Sequence, residues 1–253
     1  MDQIISSYNQ IYNGEIGLAP RSSGNAELFI DALFKAGVIF DRAFGTNFKS
    51  NSEASKITIG GYDETVVPDF NNFQFASLIN DYEWQLSCSQ VAYDGVDQGL
   101  DVSAAILSTG SSLTRFESSN GDWDKIYSNI TAGKTCGYSN VTGLRACECK
   151  GINDFKDINF VIGGHELTMK VDTWVRREST KLCSFYIGSV NYSNLTSTVI
   201  LGYAFMRNHY IYYDLTNKRV GFYDIPELQS EGYLPTTISI SLLVLILAFV
   251  FNF

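Results

Sequence analysis

The residues Ala104-Ala105-Ile106-Leu107-Ser108-Thr109-Gly110-Ser111-Ser112-Leu113-Thr114-Arg115-Phe116 decide how the rest of the chain is read. Ala104 to Leu107 form an apolar run that stops at a cluster of hydroxyl residues around Gly110, and Leu113 resumes the apolar pattern. A short apolar run closed by Gly and small hydroxyl side chains marks a buried strand entering a tight loop. Taken alone, such a loop is an ordinary turn. Its neighbours in chain order give it meaning.

Upstream, Gly14-Glu15-Ile16-Gly17-Leu18-Ala19-Pro20 reads as a Gly-punctuated strand ending in a turn. Residues 26–39 place Leu28, Phe29, Leu33 and Ala36 at helical spacing, and Gly37 closes the helix. Ala43–Phe48 and Lys56–Asp63 read as strands, the second ending in Gly60-Gly61. Downstream, Trp84–Val91 alternates apolar and polar, with a hairpin turn at Tyr93-Asp94-Gly95. One helical turn is expected around Trp123, Ile126 and Ile130. Asp157–Ile162, Gly163-Gly164 and Leu167–Val171 form a second hairpin, and Val199–Gly202 is an apolar strand stopped by Gly. His209–Asp214 and Arg219–Tyr223 bracket a last turn. Short strands with this turn spacing imply an all-β fold with minor helix.

The 253 residues allow one large β domain or two smaller ones, and 45% hydrophobic residues suffice for a packed core. A net charge of -9 argues against nucleic acid, which demands a basic surface. Sequons at Asn129, Asn140, Asn191 and Asn194, on a segment rich in cysteine, favour an oxidising secretory compartment with glycosylation. For the 5 cysteines a zinc site is the rival reading, but Cys147 and Cys149 are too close and no second Cys-x-x-Cys follows. No metal and no cofactor are expected. Cys136 and Cys147 could close a local loop, and Cys88 is left as the odd thiol, buried in its strand.

The two ends are unlike the middle. Met1–Tyr8 has neither a basic nor a long apolar segment, so no signal peptide is visible, and a chain with secretory features is then expected to have lost its beginning. After Glu231 no charge appears, and Ile238–Phe253 is almost wholly apolar. As a helix those residues reach about 24 Å, short of a ~30 Å hydrocarbon core. Ser230 and Gly232, a short polar spacer and the apolar run resemble a GPI-attachment signal; a tail-anchored helix and a buried strand are the alternatives. Attachment to a membrane through this tail is the expectation.

The ordered blocks resemble the pepsin-like aspartic proteases over residues 14–225. Thr109, Gly110, Ser111 and Ser112 match the family's second active-site loop, apolar-apolar-Asp-Thr-Gly-Thr/Ser-Ser, with Ser108 at the place of the catalytic aspartate. Gly14–Leu18 is similar to the strand crossing the first active-site loop, although Glu15 replaces an apolar residue there. Ile200, Leu201 and Gly202 resemble the strand crossing the second loop. The resemblance implies a Cys149–Cys183 disulfide and substrate contacts at Ile106, Ser111 and Ser112. It also divides the chain into a partial N-terminal lobe at 1–79, a C-terminal lobe at 80–226 and a linker with apolar tail at 227–253. The family's first Asp-Thr-Gly and its flap tyrosine would lie upstream of Gly14. Strands within residues 14–79 are then expected to lack sheet partners, leaving Ile16, Leu18 and Phe29 facing nothing.

Peptide hydrolysis in this family needs two carboxylates sharing a proton, one activating water and one bonded to the carbonyl. Serine has no useful pKa for that exchange, so Ser108 implies an aspartic-type endopeptidase relative that is inactive as given. As a nucleophile Ser108 would need a base, and the 2 histidines, His165 and His209, read as exposed and as packed or solvated. Asp97, Asp101 and Asp214 read as surface or turn residues. The competing readings are a degenerate protease, a non-catalytic module that binds peptide or protein, and an anchored structural glycoprotein.

Overall fold

The computed structural model describes residues 16–21, 26–49, 54–191 and 196–225. The expectations for Gly14, Glu15, Asn194, the first thirteen residues and the tail after Ile225 therefore lie outside the described residues. Strands dominate, in three sheets, and the four α-helices among the described residues are short. The all-β expectation with minor helix holds.

The largest sheet runs in the order His165–Met169, Ile158–Ile162, Gln85–Tyr93, Ala104–Leu107, Thr198–Leu201, Thr114–Glu117 and Ile187–Val190. Its long strand Gln85–Tyr93 turns Leu86 and Cys88 inward, then Val91 after an odd step. The step is a bulge: Val161 pairs with Gln90 but Ile162 pairs with Cys88, so one extra residue flips the alternation back toward the core. Asp94 and Gly95 both adopt positive φ, as do Gly163 and Gly164, which suits the tight turns after Tyr93 and Ile162. The expected hairpin is present, but its strands are Ile158–Ile162 and His165–Met169 rather than Asp157–Ile162 and Leu167–Val171, because Ile162 pairs with His165 directly across Gly163-Gly164 and Val171 already starts a short helix.

The second sheet orders Lys56–Ile59, Ala43–Asn47, His209–Asp214, Arg219–Asp224 and Gln74–Ser77. This corrects the expectation that the early strands lack partners. Ala43 pairs with Asp214 and Phe75 with Gly221, so residues on both sides of position 80 share one antiparallel sheet. Ile16 and Phe29 are indeed exposed, whereas Leu18 packs on the core. The helix spans Phe29–Lys35 and ends with Gly37 at positive φ. Its buried residue is Ile30 rather than Phe29 or Ala36, because contact with the sheet falls on the flank of the apolar stripe.

The third sheet, Val175–Arg177, Leu182–Phe185, Arg145–Glu148 and Cys136–Tyr138, carries both disulfides, Cys149–Cys183 and Cys136–Cys147. Cys88 is free and buried, and burial pushes its thiol up to about 11. The single turn expected near Trp123 is a nine-residue helix, Asp122–Ile130, whose Trp123, Ile126 and Ile130 are all buried. Asp122 accepts hydrogen bonds from the Asp101 N–H and the Asn120 amide, placing a bonded carboxylate at the helix N-terminus. Aromatic packing joins the sheets. Phe44 stacks on Tyr213 at 4.4 Å and Trp84 meets Tyr213 edge-on at 4.9 Å, tying the second sheet to the start of the long strand of the first.

Candidate active site

Strand Ala104–Leu107 is buried along its whole length and runs parallel to Thr198–Leu201, with Ile106 beside Ile200 and Leu107 beside Leu201. The Ser108 N–H donates to the Leu201 carbonyl at 3.0 Å, continuing the ladder into the loop. The chain then turns: Ser111 N–H donates back to the Ser108 carbonyl at 3.2 Å, and Ser111 Oγ donates to the Leu113 carbonyl at 2.7 Å. The crossing strand presses on this turn. A Cβ at Gly202 would stand 2.2 Å from the Leu113 oxygen and 2.5 Å from the Ser111 oxygen, so no larger residue fits. Beyond it, the Tyr203 N–H donates to the Ser111 carbonyl at 2.8 Å. Ile106, Ser108, Ser111 and the crossing residues Ile200, Leu201 and Gly202 thus form one hydrogen-bonded frame, and Thr109, Gly110 and Ser112 stand on the loop it carries.

A cavity of about 440 Å³ opens beside the loop, lined by Ile106, Leu107, Ser108, Thr109 and Gly110 on one side and by Phe44, Trp84 and Tyr213 on the other. Its floor is the aromatic stack that links the two sheets. Trp84 is fixed by donating Nε1–H to the Leu18 carbonyl at 2.7 Å. Tyr213 is buried, and desolvation raises its phenol well above the usual range, so it stays neutral. Thr109, Gly110 and Ser112 are exposed, and Ser108 sits half-buried at the rim.

Glu83 is the carboxylate lining this cavity; it is exposed, and no hydrogen bond joins it to Ser108 among the described residues. Asp97 and Asp101 are exposed, as expected. Asp214 is buried, but it is a turn residue holding the Asn217 N–H and Arg219 at 2.9 Å. Neither histidine lines the cavity. His165 is half-buried rather than exposed, because its Nε2 meets the carbonyl of Phe75, on strand Gln74–Ser77 of the second sheet, at 3.2 Å. His209 is buried and bonded to Asp224 at 2.7 Å, which holds that carboxyl below its usual range. The described residues supply no base to Ser108. They also contain no cluster of metal-ligating side chains.

The profile of the family described as eukaryotic aspartyl protease matches residues 3–225. The chain belongs to that family. Among individual relatives it is 26% identical to pepsin A of Suncus murinus over 219 residues, covering 85% of this chain and 54% of that protein. It is 27% identical to pepsin II-2/3 of Oryctolagus cuniculus over 217 residues, covering 83% and 53%. The chain spans about half the length of the curated relatives it matches. The crystal structure of the aspartic proteinase from Irpex lacteus superposes with a TM-score of 0.64 at 20% identity, covering 80% of this chain and 62% of that one. The fold is that of the pepsin-like aspartic proteases. The expected Cys149–Cys183 pairing is present.

What sequence reasoning missed is the far wall of the loop. A second cavity of about 340 Å³ lies beyond Ser112, lined by Tyr203, Tyr186, Asp172 and three arginines, Arg176, Arg177 and Arg207. Arg176 and Arg177 are neighbours on strand Val175–Arg177, and Arg207 joins them from the end of the short helix Tyr203–Met206, so no local pattern announces all three.

Proposed function

We propose that this member of the aspartyl protease family binds an extended peptide or protein segment over the Ser108–Ser112 loop without hydrolysing it. The observation that carries this reading is Ser108 itself. It occupies the strand-end position on a fully formed loop, and no carboxylate among the described residues is bonded to it. A hydroxyl there can donate to a peptide carbonyl, but it cannot hold the shared proton that activates water. In this reading the apolar cavity beside Trp84 takes a large apolar side chain, and Ile106, Ser111 and Ser112 contact the peptide.

The same reading takes residues 1–79 as part of an N-terminal lobe, 80–226 as the C-terminal lobe and 227–253 as a linker and anchor. A protein of the secretory pathway, held at a membrane through its tail and glycosylated, fits the sequons and the disulfides. Asn129, Asn140 and Asn191 are exposed, as glycan acceptors must be. Among the described residues no helix is long and apolar enough to cross a membrane, so the anchor in this proposal is the tail.

Titration of a fluorescein-labelled peptide carrying a Phe-Phe pair tests the binding step, read by polarisation and by Trp84 emission. Saturable binding that is abolished in Thr109→Trp, which fills the cavity mouth, supports it. Binding unchanged by that substitution places the peptide elsewhere and overturns it.

A further inference from the structure

We infer that the arginine-lined cavity beyond Ser112 is an anion subsite that selects a carboxylate side chain in the bound segment; the inference rests on the peptide-binding reading above. The loop separates two cavities of opposite character. On the Ser108 side the walls are mostly aromatic and aliphatic, with the exposed Glu83 as their carboxylate; on the Ser112 side they carry guanidinium groups. Ser108 to Ser112 spans at most about 13 Å, the reach of about four extended residues. A single extended peptide can therefore place one side chain in each.

The charges in the second cavity are unequally committed. Arg177 is occupied, donating Nε–H to the Ser179 carbonyl at 3.0 Å. Arg176 is exposed and reaches only the Tyr186 hydroxyl, at 3.5 Å. Arg207 lies over the Tyr203 ring at 5.6 Å, and its Nε is enclosed without a hydrogen-bond partner. Against them stands Asp172, one exposed carboxylate at the rim. Glu178, which faces Arg176, accepts from the hydroxyls of Ser139 and Thr142 and is spent there. Arg176 and Arg207 thus line one space while making few bonds of their own, in a chain whose net charge is -9. Planar forks of this kind match a carboxylate, and a partly enclosed site screens the attraction less than open solvent does.

The experiment uses fixed-length peptides with a Phe-Phe pair and a single Glu walked along both sides, each with a Gln twin. At one spacing, about two to four residues from the pair, the Glu peptide is expected to bind roughly tenfold more tightly than its twin. Arg176→Gln and Arg207→Gln should each erase that preference while leaving the Gln twin within about twofold. Arg176 is exposed, so its variant reports without a folding defect; thermal melting checks the Arg207 variant. A peptide-independent arm adds N-acetylglutamate methylamide and its glutamine analogue and follows the Arg207 Nε–Hε resonance. Equal affinity of Glu and Gln twins at every spacing overturns the anion subsite and leaves peptide binding standing. No binding of either twin, with the resonance moved by the glutamate compound alone, keeps the subsite and overturns the peptide reading. No binding and no movement overturns both.

Discussion

The sheet that holds the Ser108 loop and the segment that precedes it use the same kinds of residues to different ends. Around the loop, apolar side chains are covered on both faces: Ala105, Leu107, Val199 and Leu201 are all buried. In the earlier segment they stand open, with Phe40 at 91%, Val38 at 65% and Ile16 at 62% exposure. Ile16, Val38 and Phe40 lie outside the strands, but a place in a strand does not by itself bury a side chain, since Ile57 on strand Lys56–Ile59 is also exposed. Cover does. Burial of apolar area supplies most of the stabilisation, at about 25 cal/mol per Å², so the loop frame should carry the stability and the open face should contribute little.

The largest effect that would test this contrast is expected at the crossing point. Gly202→Ala puts a methyl into the backbone oxygens of Leu113 and Ser111, and we expect a loss of more than about 3 kcal/mol in urea unfolding. A loss below about 1 kcal/mol would mean that the loop yields and is not held by the crossing strand. Next, removing the Cys149–Cys183 bridge by a double Ser substitution should cost about 3 kcal/mol, since it closes a loop with a sequence separation of 34. An unchanged midpoint would show that the third sheet holds without it.

A smaller effect belongs to the earlier segment, where Asp63 is one of the few buried charges. Its carboxylate accepts from Lys56 at 2.7 Å and from Thr65, and these bonds, Lys56 first, lower its pKa from 3.8 to about 2. A depressed carboxylate stabilises the fold above its unfolded pKa and loses that contribution as the pH falls through the folded one. Asp63→Asn should therefore cost about 1 kcal/mol at neutral pH, the exposure of Lys56 limiting the pair. The difference from wild type should close between pH 3.8 and about 2. A constant difference over that window would contradict the assignment. The smallest effect is expected at Phe40→Ser, within about 0.5 kcal/mol because the ring is already in solvent. A cost above about 2 kcal/mol would mean that something covers this face.

Much of this was legible in the sequence where the signal is local. The run ending at Ser108, the Gly163-Gly164 turn and the Gly202 stop each follow from a few adjacent residues, and each is observed where expected. Pairing across long separations was not. Nothing in Ala43–Asn47 announces His209–Asp214 as its neighbour, because an alternating strand fits any edge with the right face. The Leu86, Cys88, Val91 phase slip was present in the letters, but it reads as a bulge only beside Val161 and Ile162. The buried face of the first helix was misjudged for a related reason: periodicity gives a stripe, and the sheet beneath decides which edge of it is covered. Arg207 meets the neighbouring pair Arg176-Arg177 only through the fold.

The claim on which the account turns is that a peptide seated at Ser108 is held and not cut. Mass spectrometry of an acid-denatured protein incubated with the purified chain at acid pH measures this directly. The account predicts an intact substrate after prolonged incubation. New termini whose formation is blocked by a statine-containing peptide would contradict it.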